Sequence, residues 1–378
     1  MKSKKSLITD SLLPPGFSDE VSDKAAIEHK YKNTIINLFQ NNGYKLVKTP
    51  LIEYAKNSNL KNILKIRTKT KQRETIIRDD ITLQISRISN RLLREPRPIK
   101  LCYYGEVVRD KGSMLRPERQ FLQVGAECIG ENSYFADVEM LELAYKALKL
   151  VGVKDITIEL SSRLFLNKIY SFVKSDEKLR KIKLLVKRKD LSNLKKIISA
   201  KYKKQLENIF SCTGNFSNKK NQLKKLVFDK SSKNEINNLI NINKIFLKKF
   251  PNTNFFLDLT ETDDKNYHNG IRFTIFAENV RGEIARGGRY ISKNKNLNEN
   301  ATGFTCYMDT ILRSSSKNEK FKKILVPFSI SSQKKSELIK KKYVVETYFG
   351  NEKNLKKKAI EKTFESYLRN NKIVSLRK

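Results

Sequence analysis

The stretch LCYYGEVVRDKGSMLRPERQFLQVGAECIG, residues 101–130, predicts two antiparallel strands joined by a charged loop. Side chains alternate between the two faces of a strand, so the residues of the second strand fall into an apolar set and a largely polar set. One face carries Leu122, Val124, Ala126 and Cys128, and the other carries Arg119, Phe121, Gln123, Gly125 and Glu127. A strand with one face in water would show the same alternation. Phe121 on the polar face, the space left by Gly125, and Arg109 at the end of the partner strand favour instead a site for a small zwitterionic ligand.

The length and the apolar pattern indicate a soluble protein of two or three domains, because single cores stop growing near roughly 250 to 300 residues. No run approaches the roughly 18 apolar residues that a membrane span needs. The N-terminus, MKSKKSLITDSLLPPGF, lacks the apolar core of a signal peptide, so we expect a cytoplasmic location without membrane contact. The four cysteines are widely spaced, so we expect buried free thiols and no disulfide, metal site or cofactor.

The charge balance leaves the partner open. Lys and Arg number 78 against 40 Asp and Glu, a formal net charge of +38. Such a field attracts phosphate polyanions. The excess is mostly lysine, however, spread along the chain with many Asn and Ile, as the composition of an A/T-rich genome would also produce.

The order of elements predicts an α+β fold. We expect helices at 19–41, 81–94 and 136–150, an extended segment at 43–54 broken by Pro50, a hairpin at 62–80 with its turn near Thr70 and Lys71, and a strand at 155–160. Strands at 254–260, 270–278 and 282–290 should rejoin this sheet, with a helix after ATGFTCYMDTILR. The tail from about Phe321 predicts strand, helix, strand, helix. The expected domains are a core of residues 1–162 and 251–318, a Lys-rich helical insertion at 163–250, and a small α/β appendage at 319–378.

Five ordered segments resemble the core motifs of histidyl-tRNA synthetase, a class II aminoacyl-tRNA synthetase. They are GYKLVKTPLIEY, IIRDDITLQISR, CYYGEVVRDK with RQFLQVGAECIG, NYHNGIRF, and GGRY followed by ATGFTCYMDTILR, within residues 12–162 and 251–313. Together they are a far stronger signal than any one alone. The resemblance implies a class II antiparallel sheet flanked by helices.

The resemblance also implies a histidine site. The matching positions are Asp80, Thr82, Gln123, Glu127, Tyr267, His268 and Tyr290. Asp80 with Thr82 and Gln123 would hold an ammonium group, Glu127 would accept from an imidazole N–H, and Arg109 would meet a carboxylate. Each has a structural alternative: a structural role for His268, which is one of only two histidines, an ion pair of Arg109 with Glu106 or Asp110, and a tight turn for GGRY.

The positions that bind ATP in the synthetase are altered. Thr310 matches the motif 3 arginine, Asp263 the arginine that opens the RGLDYY loop, and Lys111 the glutamate two residues after the motif 2 arginine. Losing one such cation costs several kcal/mol of phosphoryl charge stabilisation. The tail is also shorter than the anticodon-binding domain of the synthetase. We therefore expect neither adenylation nor a tRNA partner.

This combination is similar to the regulatory subunit family of ATP phosphoribosyltransferase. The resemblance implies a chain without its own catalysis that binds L-histidine, activates a short catalytic subunit in the first step of histidine biosynthesis, and carries feedback. It also implies a homodimer, supported by the GYKLVKTP segment, within a larger hetero-oligomer. The alternatives are a divergent histidyl-tRNA synthetase or tRNA-binding paralogue, and a histidine sensor with another partner.

Overall fold

The computed structural model describes residues 12–55, 62–67, 73–89, 91–92, 95–261, 268–293, 298–316 and 322–376. Two long antiparallel strands, β5 (Ile99–Val108) and β6 (Gln120–Ile129), form where residues 101–130 predict them. Their register sets Leu101 opposite Glu127, Tyr103 opposite Gly125 and Gly105 opposite Gln123. The strand alternation of the sequence is therefore confirmed.

A nine-stranded sheet is built around this pair, in the order β1-β5-β6-β12-β11-β10-β7-β9-β8. Its other strands are β1 (Lys45–Val47), β7 (Ile156–Ser162), β8 (Gly214–Asn215), β9 (Asn254–Leu257), β10 (His268–Ala277), β11 (Ala285–Lys293) and β12 (Asn298–Tyr307). The pairs β1–β5 and β7–β9 are parallel and the rest antiparallel. A second sheet joins β2 (Ile52–Tyr54), β3 (Lys65–Ile66) and β4 (Thr75–Ile77), in the order β2-β4-β3. The turn expected near Thr70 and Lys71 lies outside the described residues.

Strand β12 lies in the middle of the sheet, between β6 and β11, and the sequence interpretation missed it. The segment ATGFTCY forms its second half, and α10 (Met308–Ser314) begins inside the quoted segment instead of after it. The residues from Ala301 to Tyr307 are all buried. A strand covered on both faces shows no polar alternation, so periodicity alone does not reveal it.

The two faces of the sheet pack against different helices. One face carries Cys102, Val124 and Ala126 and packs on α1 (Ser22–Asn41) and α3 (Tyr134–Leu150). The opposite face, here called the site face, carries Tyr103, Phe121 and Tyr290 and packs on Ile81 and Ile85. Helix α2 (Thr82–Ser89) contributes Ile85 and is shorter than the helix expected to reach Arg94. Gln123 and Glu127 are 0 % and 1 % exposed, so the alternative of a strand with its polar face in water is wrong.

The Lys-rich segment forms helices α4 (Leu164–Tyr170), α5 (Asp176–Lys187), α6 (Leu191–Ile197), α7 (Ala200–Ser211), α8 (Phe216–Lys224) and α9 (Lys230–Lys249). Its apolar stripes enter the same core as the sheet, through residues such as Leu206, Leu239 and Phe246. The ring of Phe246 meets Tyr145 of α3 edge-on at 5.3 Å. These helices therefore belong to one compact unit with the sheet, Met1–Lys317.

The second compact unit, Asn318–Lys378, holds a four-stranded sheet in the order β14-β13-β15-β16. Its elements are β13 (Lys322–Pro327), α11 (Ser332–Lys340), β14 (Tyr343–Tyr348), a 3₁₀ turn (Glu352–Asn354), α12 (Leu355–Glu361), β15 (Ser366–Arg369) and β16 (Lys372–Ser375). Leu338 packs on one side of the sheet and Leu355 on the other. The single final helix expected over NLKKKAIEKTFESYLRN is wrong, because Thr363 takes a positive φ of 58° and the chain turns into a hairpin.

Candidate functional site

Glu127 lies at the centre of a buried hydrogen-bonded cluster on the site face. Its Oε2 accepts from the Tyr290 hydroxyl at 2.9 Å, and its Oε1 lies 3.4 Å from the Tyr103 hydroxyl, which donates to it. Tyr103 in turn lies 2.6 Å from Thr305 Oγ1 and 3.3 Å from Thr82 Oγ1. The structure thus brings Glu127, Tyr290 and Thr82 together in one cluster.

Burial sets the charge of this carboxyl. The pKa of Glu127 is raised to about 8, chiefly by desolvation and also by the nearby Asp80 carboxylate, against hydrogen bonds from Tyr290, Thr82 and Tyr103 that lower it. Desolvation also raises the pKa of Tyr103 well above its ordinary value. Near neutral pH Glu127 is therefore mostly protonated without a ligand, and a cationic or N–H donor group would favour its ionised form.

Two glycines make room for these side chains. A Cβ on Gly303, directly opposite Glu127, would lie 1.7 Å from Glu127 Oε2. A Cβ on Gly125 would lie 2.4 Å from the Tyr103 hydroxyl oxygen. The space that Gly125 leaves is therefore filled by the Tyr103 ring and not by a ligand, which corrects the first interpretation.

A tight turn before α2 holds the second part of the site. The Asp80 carboxylate accepts from the Thr82 backbone N–H at 2.9 Å, and Gln123 Nε2 lies 3.5 Å from Asp80 Oδ2. Gln123 Oε1 accepts from the Ile81 N–H at 3.3 Å. The structure thus brings Asp80, Thr82 and Gln123 together, with carboxylate and amide oxygens of the kind that accept from an ammonium group.

Arg78, which the sequence interpretation missed, lies two residues before Asp80 and anchors this turn to neighbouring segments of the chain. Its buried guanidinium donates to Glu106 O at 2.7 Å and to Thr49 Oγ1 at 2.7 Å. A Cβ on Gly105 would lie only 2.0 Å from its Nη2. The glycine and the arginine therefore fit as a pair, a relation that no single-strand pattern reveals.

Arg109 stacks on Phe121, with its guanidinium carbon 4.9 Å from the ring centroid. Among the described residues it makes no ion pair with Glu106 or Asp110, the alternative left open by the sequence. Arg119, expected on the polar face, is displaced: strand β6 begins at Gln120, and the Arg119 guanidinium donates to Arg109 O and stacks on Phe17.

A second arginine near Phe121, Arg116, was also missed. It is 5 % exposed, lies 3.9 Å from the Tyr307 ring centroid, and pairs with Asp309 at 3.0 Å. Glu283 lies 3.6 Å from its Nη1. Two carboxylates thus neutralise this cation inside the protein.

The altered ATP-binding positions are partly visible. Thr310 is fully buried, and its hydroxyl donates to the carbonyl oxygens of Glu283 and Tyr307 at 3.0 Å each. Lys111 lies in an exposed loop, where its backbone N–H donates to Asn62. Asp263 and Tyr267 lie outside the described residues; the backbone of His268 pairs with that of Tyr290, and its side chain is not described. His29 lies on the exposed side of α1, 2.8 Å from Asn33 Nδ2.

All four cysteines are free and buried, as expected. Burial raises the pKa values of Cys102, Cys128 and Cys212 to about 11, and that of Cys306 further. No helix in the described ranges is both long and apolar enough to cross a membrane.

Comparisons with known proteins identify the family of the chain. The family model described as histidyl-tRNA synthetase matches residues 16–311. A protein of Rhodospirillum centenum called ATP phosphoribosyltransferase regulatory subunit is 32 % identical over 326 residues, 84 % of this chain and 84 % of that protein. A protein of the same name from Paramagnetospirillum magneticum is 29 % identical over 84 % of this chain and 85 % of its own length.

The chain belongs to the histidyl-tRNA synthetase-like family of ATP phosphoribosyltransferase regulatory subunits. Solved structures confirm the class II synthetase-like fold. A Bacillus halodurans protein described as an ATP phosphoribosyltransferase regulatory subunit/histidyl-tRNA synthetase matches with a TM-score of 0.78 at 18 % identity, covering 95 % of this chain and 97 % of that one. A chain of the ATP phosphoribosyl transferase (HisG:HisZ) complex from Thermotoga maritima matches with a TM-score of 0.58 at 19 % identity, covering 76 % and 98 %.

Proposed function

We propose that this chain is a regulatory subunit without catalysis of its own, which activates the short catalytic subunit of ATP phosphoribosyltransferase and transmits feedback from L-histidine. The proposal is carried by the buried polar cluster at Glu127 together with the uncharged Thr310 at the position that matches the motif 3 arginine. Family membership adds the partner, because the relatives that cover most of this chain are named as regulatory subunits of this enzyme.

The polar groups of the pocket match the ammonium and imidazole groups of histidine, in the same order along the ligand. Asp80 and Gln123 offer acceptors for an ammonium group, while Glu127 and Tyr290 offer a carboxyl and a hydroxyl for the two imidazole nitrogens. Imidazole titrates near neutral pH, so its N–H groups complement a carboxyl whose own pKa is about 8. Without the ligand these polar groups would stay buried but lack the ligand's hydrogen bonds, which is less favourable than exposing them to water.

The absence of catalysis rests on charge. Polyphosphate activation needs cations aimed at the developing negative charge. Thr310 supplies none, and the cation of Arg116 is matched by Asp309 and Glu283. A polyphosphate placed near these two carboxylates would meet repulsion.

A homodimer is part of the proposal, with a second copy of the chain as the occupant of an exposed apolar edge. Strand β1 ends the large sheet, and Leu46, Leu51, Ile52 and Tyr54 on β1, β2 and their connection are 41 to 56 % exposed. Neighbouring apolar side chains exposed on adjoining sheet edges are typical of an interface. The variant Ile52→Asp should therefore give a monomer in light scattering coupled to size-exclusion chromatography, whereas Phe256→Asp on β9 should remain dimeric.

The assay for the main proposal uses the chain purified with a short-form ATP phosphoribosyltransferase from its own host. We expect co-purification, stimulation of phosphoribosyl transfer, inhibition of the complex by histidine, and no histidine-dependent ATP–pyrophosphate exchange. The variant Glu127→Gln should lose histidine inhibition while keeping stimulation, and the exposed Glu278→Gln is its matched control. Robust exchange activity would overturn the proposal in favour of a synthetase.

The divergent synthetase remains the second candidate because the formal net charge of +38 suits tRNA. Aminoacylation of the host's histidine tRNA, or tRNA retained through purification at moderate salt, would favour it. Binding that disappears uniformly with salt for any RNA would instead reflect composition alone.

A further inference from the structure

Three charged side chains meet on the site face beside the Glu127 pocket. Arg272 of β10 and Arg286 of β11 both donate to Glu261 Oε1, at 2.6 and 2.8 Å. One carboxylate thus links two guanidinium groups from neighbouring strands. We call these three residues the arginine pair cluster.

The sheet register places this cluster on the ligand side. Arg286 pairs with Thr305 of β12, whose hydroxyl contacts that of Tyr103 at 2.6 Å. Tyr103 is itself in contact with Glu127. Hydrogen-bonded contacts and strand pairing therefore connect Glu127 to Arg286 along one face of the sheet.

The cluster carries one more positive than negative charge and has unused donors. The Arg272 side chain is 0 % exposed, yet its Nε and Nη1 have no hydrogen-bond partner among the described residues, and neither does Arg286 Nε. Buried cationic donors without partners are costly. An anion that accepted from them would remove that cost.

The surrounding charges do not neutralise the cluster. Asp258 is occupied by Lys189 at 2.6 Å. Glu159, beside Thr274 in the same row of the sheet, has a pKa raised to about 7 by burial and by the neighbouring Glu261 and Asp258 carboxylates. Near neutral pH Glu159 is therefore only partly ionised, and it offsets only part of the charge of the nearby Arg286.

The spacing fits an amino acid. Gly303 and Gly288 lie between Glu127 and Arg272 in one row of the sheet, so no side chains of the two middle strands obstruct it. With strands about 4.8 Å apart, Arg286 lies two strands from Glu127 and two residues along, a backbone separation of about 12 Å. Both side chains project from the same face, so the distance between their polar ends depends on how far they incline toward each other, over a range that includes the length of one small amino acid.

We infer that the arginine pair cluster, in place of the Arg109 that the resemblance implies, is the subsite for the carboxylate of the small ligand, with Arg286 as its direct contact and Arg272 held by Glu261 as its neighbour. This inference rests on the proposed function, since it assigns one end of the histidine molecule. It makes Arg286 the residue that distinguishes an amino acid from the corresponding amine.

Isothermal titration of the full chain with L-histidine and with histamine tests the assignment. The wild type should prefer histidine by at least about tenfold, as one charge-assisted contact implies. Arg286→Ala should weaken histidine binding by about 10- to 100-fold and leave histamine binding unchanged, and Arg286→Lys should recover part of the loss. The exposed Arg281→Ala removes the same charge outside the cluster and should behave as wild type.

The outcomes of this titration distinguish a failure of the carboxylate assignment from a failure of the proposed function. If Arg286→Ala keeps the wild-type preference for histidine, or if the wild type binds both ligands equally, the carboxylate assignment is wrong while histidine binding stands. If the wild type binds neither ligand, histidine sensing and this subsite fall together, whereas activation of the catalytic subunit is judged independently in the coupled assay.

Discussion

Replacing Glu127 by Gln should change the pH dependence of stability in a direction fixed by burial. The amide has nearly the shape of the protonated carboxyl and does not titrate. In the folded protein the pKa of Glu127 is about 8, against 4.5 for the ordinary side chain. The folded state therefore holds the proton more tightly than the unfolded state.

The sign and size follow from proton linkage. Because the folded pKa is raised, stability from this group is complete below about pH 4.5 and is lost as the pH rises through the window to 8. Each pKa unit corresponds to about 1.4 kcal/mol, so the wild type should lose about 4 kcal/mol relative to Glu127→Gln between about pH 5 and about pH 9. Above that window the difference should be constant.

Urea unfolding at constant ionic strength, followed by circular dichroism, measures this difference at each pH. Other buried carboxyls titrate in the same range: the pKa values of Glu28 and Glu159 are raised to about 7 and that of Asp137 to about 6. Both proteins contain those groups, so their contributions cancel in the comparison. Glu278→Gln, which alters an exposed carboxyl, controls for the change in net charge.

A flat difference between wild type and Glu127→Gln from about pH 5 to about pH 9 would refute the reasoning. It would mean that Glu127 is ionised in the folded protein, with water or a cation in the pocket. Saturating histidine should in turn reduce the pH dependence of the wild type, because a bound imidazole N–H favours the ionised carboxyl.

A Cβ at residue 303 would lie 1.7 Å from Glu127 Oε2, so Gly303→Ala should abolish histidine binding and lower the free energy of unfolding in urea by about 1 to 3 kcal/mol. Histidine binding retained in calorimetry would contradict this prediction. Arg116→Ala should cost about 3 to 5 kcal/mol because it removes the buried partner of the Asp309 carboxylate and leaves only the longer contact with Arg313. Arg313→Ala, which removes that exposed contact and the ion pair with Glu118, should cost under about 1 kcal/mol, and equal losses in urea unfolding would refute the difference in burial. All four cysteines should resist a thiol reagent in native buffer and react at once in denaturant, and rapid native labelling would show that the core opens.

Much of the site could be predicted because its residues lie close together in short motifs. Asp80 and Thr82 share one turn, and Gln123 and Glu127 share one face of one strand, so alternation alone aligns them. Arg78 and Arg116 could not be found in this way. Each acts through partners distant in sequence, and a lone arginine in a basic chain gives no local signal.

The secondary structure likewise divides into elements that local sequence patterns predict and elements that they miss. The pair β5 and β6 follows from its alternating pattern, and the helices α1 and α3 follow from their apolar spacing. Strand β12 did not, because both of its faces are buried and the pattern that separates strand from helix disappears. The final hairpin, β15 and β16, was hidden by a run of good helix formers that a turn at Thr363 interrupts.

By itself the sequence determined the family, the α+β class and the short-range groups of the pocket, since each depends on residues near one another along the chain. Only the tertiary structure decided that the polar face of β6 is dry, that Tyr103 fills the space above Gly125, and that Arg272 and Arg286 meet across Glu261. The physical reason is that burial and charge pairing are properties of neighbours in space. Strand register brings those neighbours together from positions up to about two hundred residues apart.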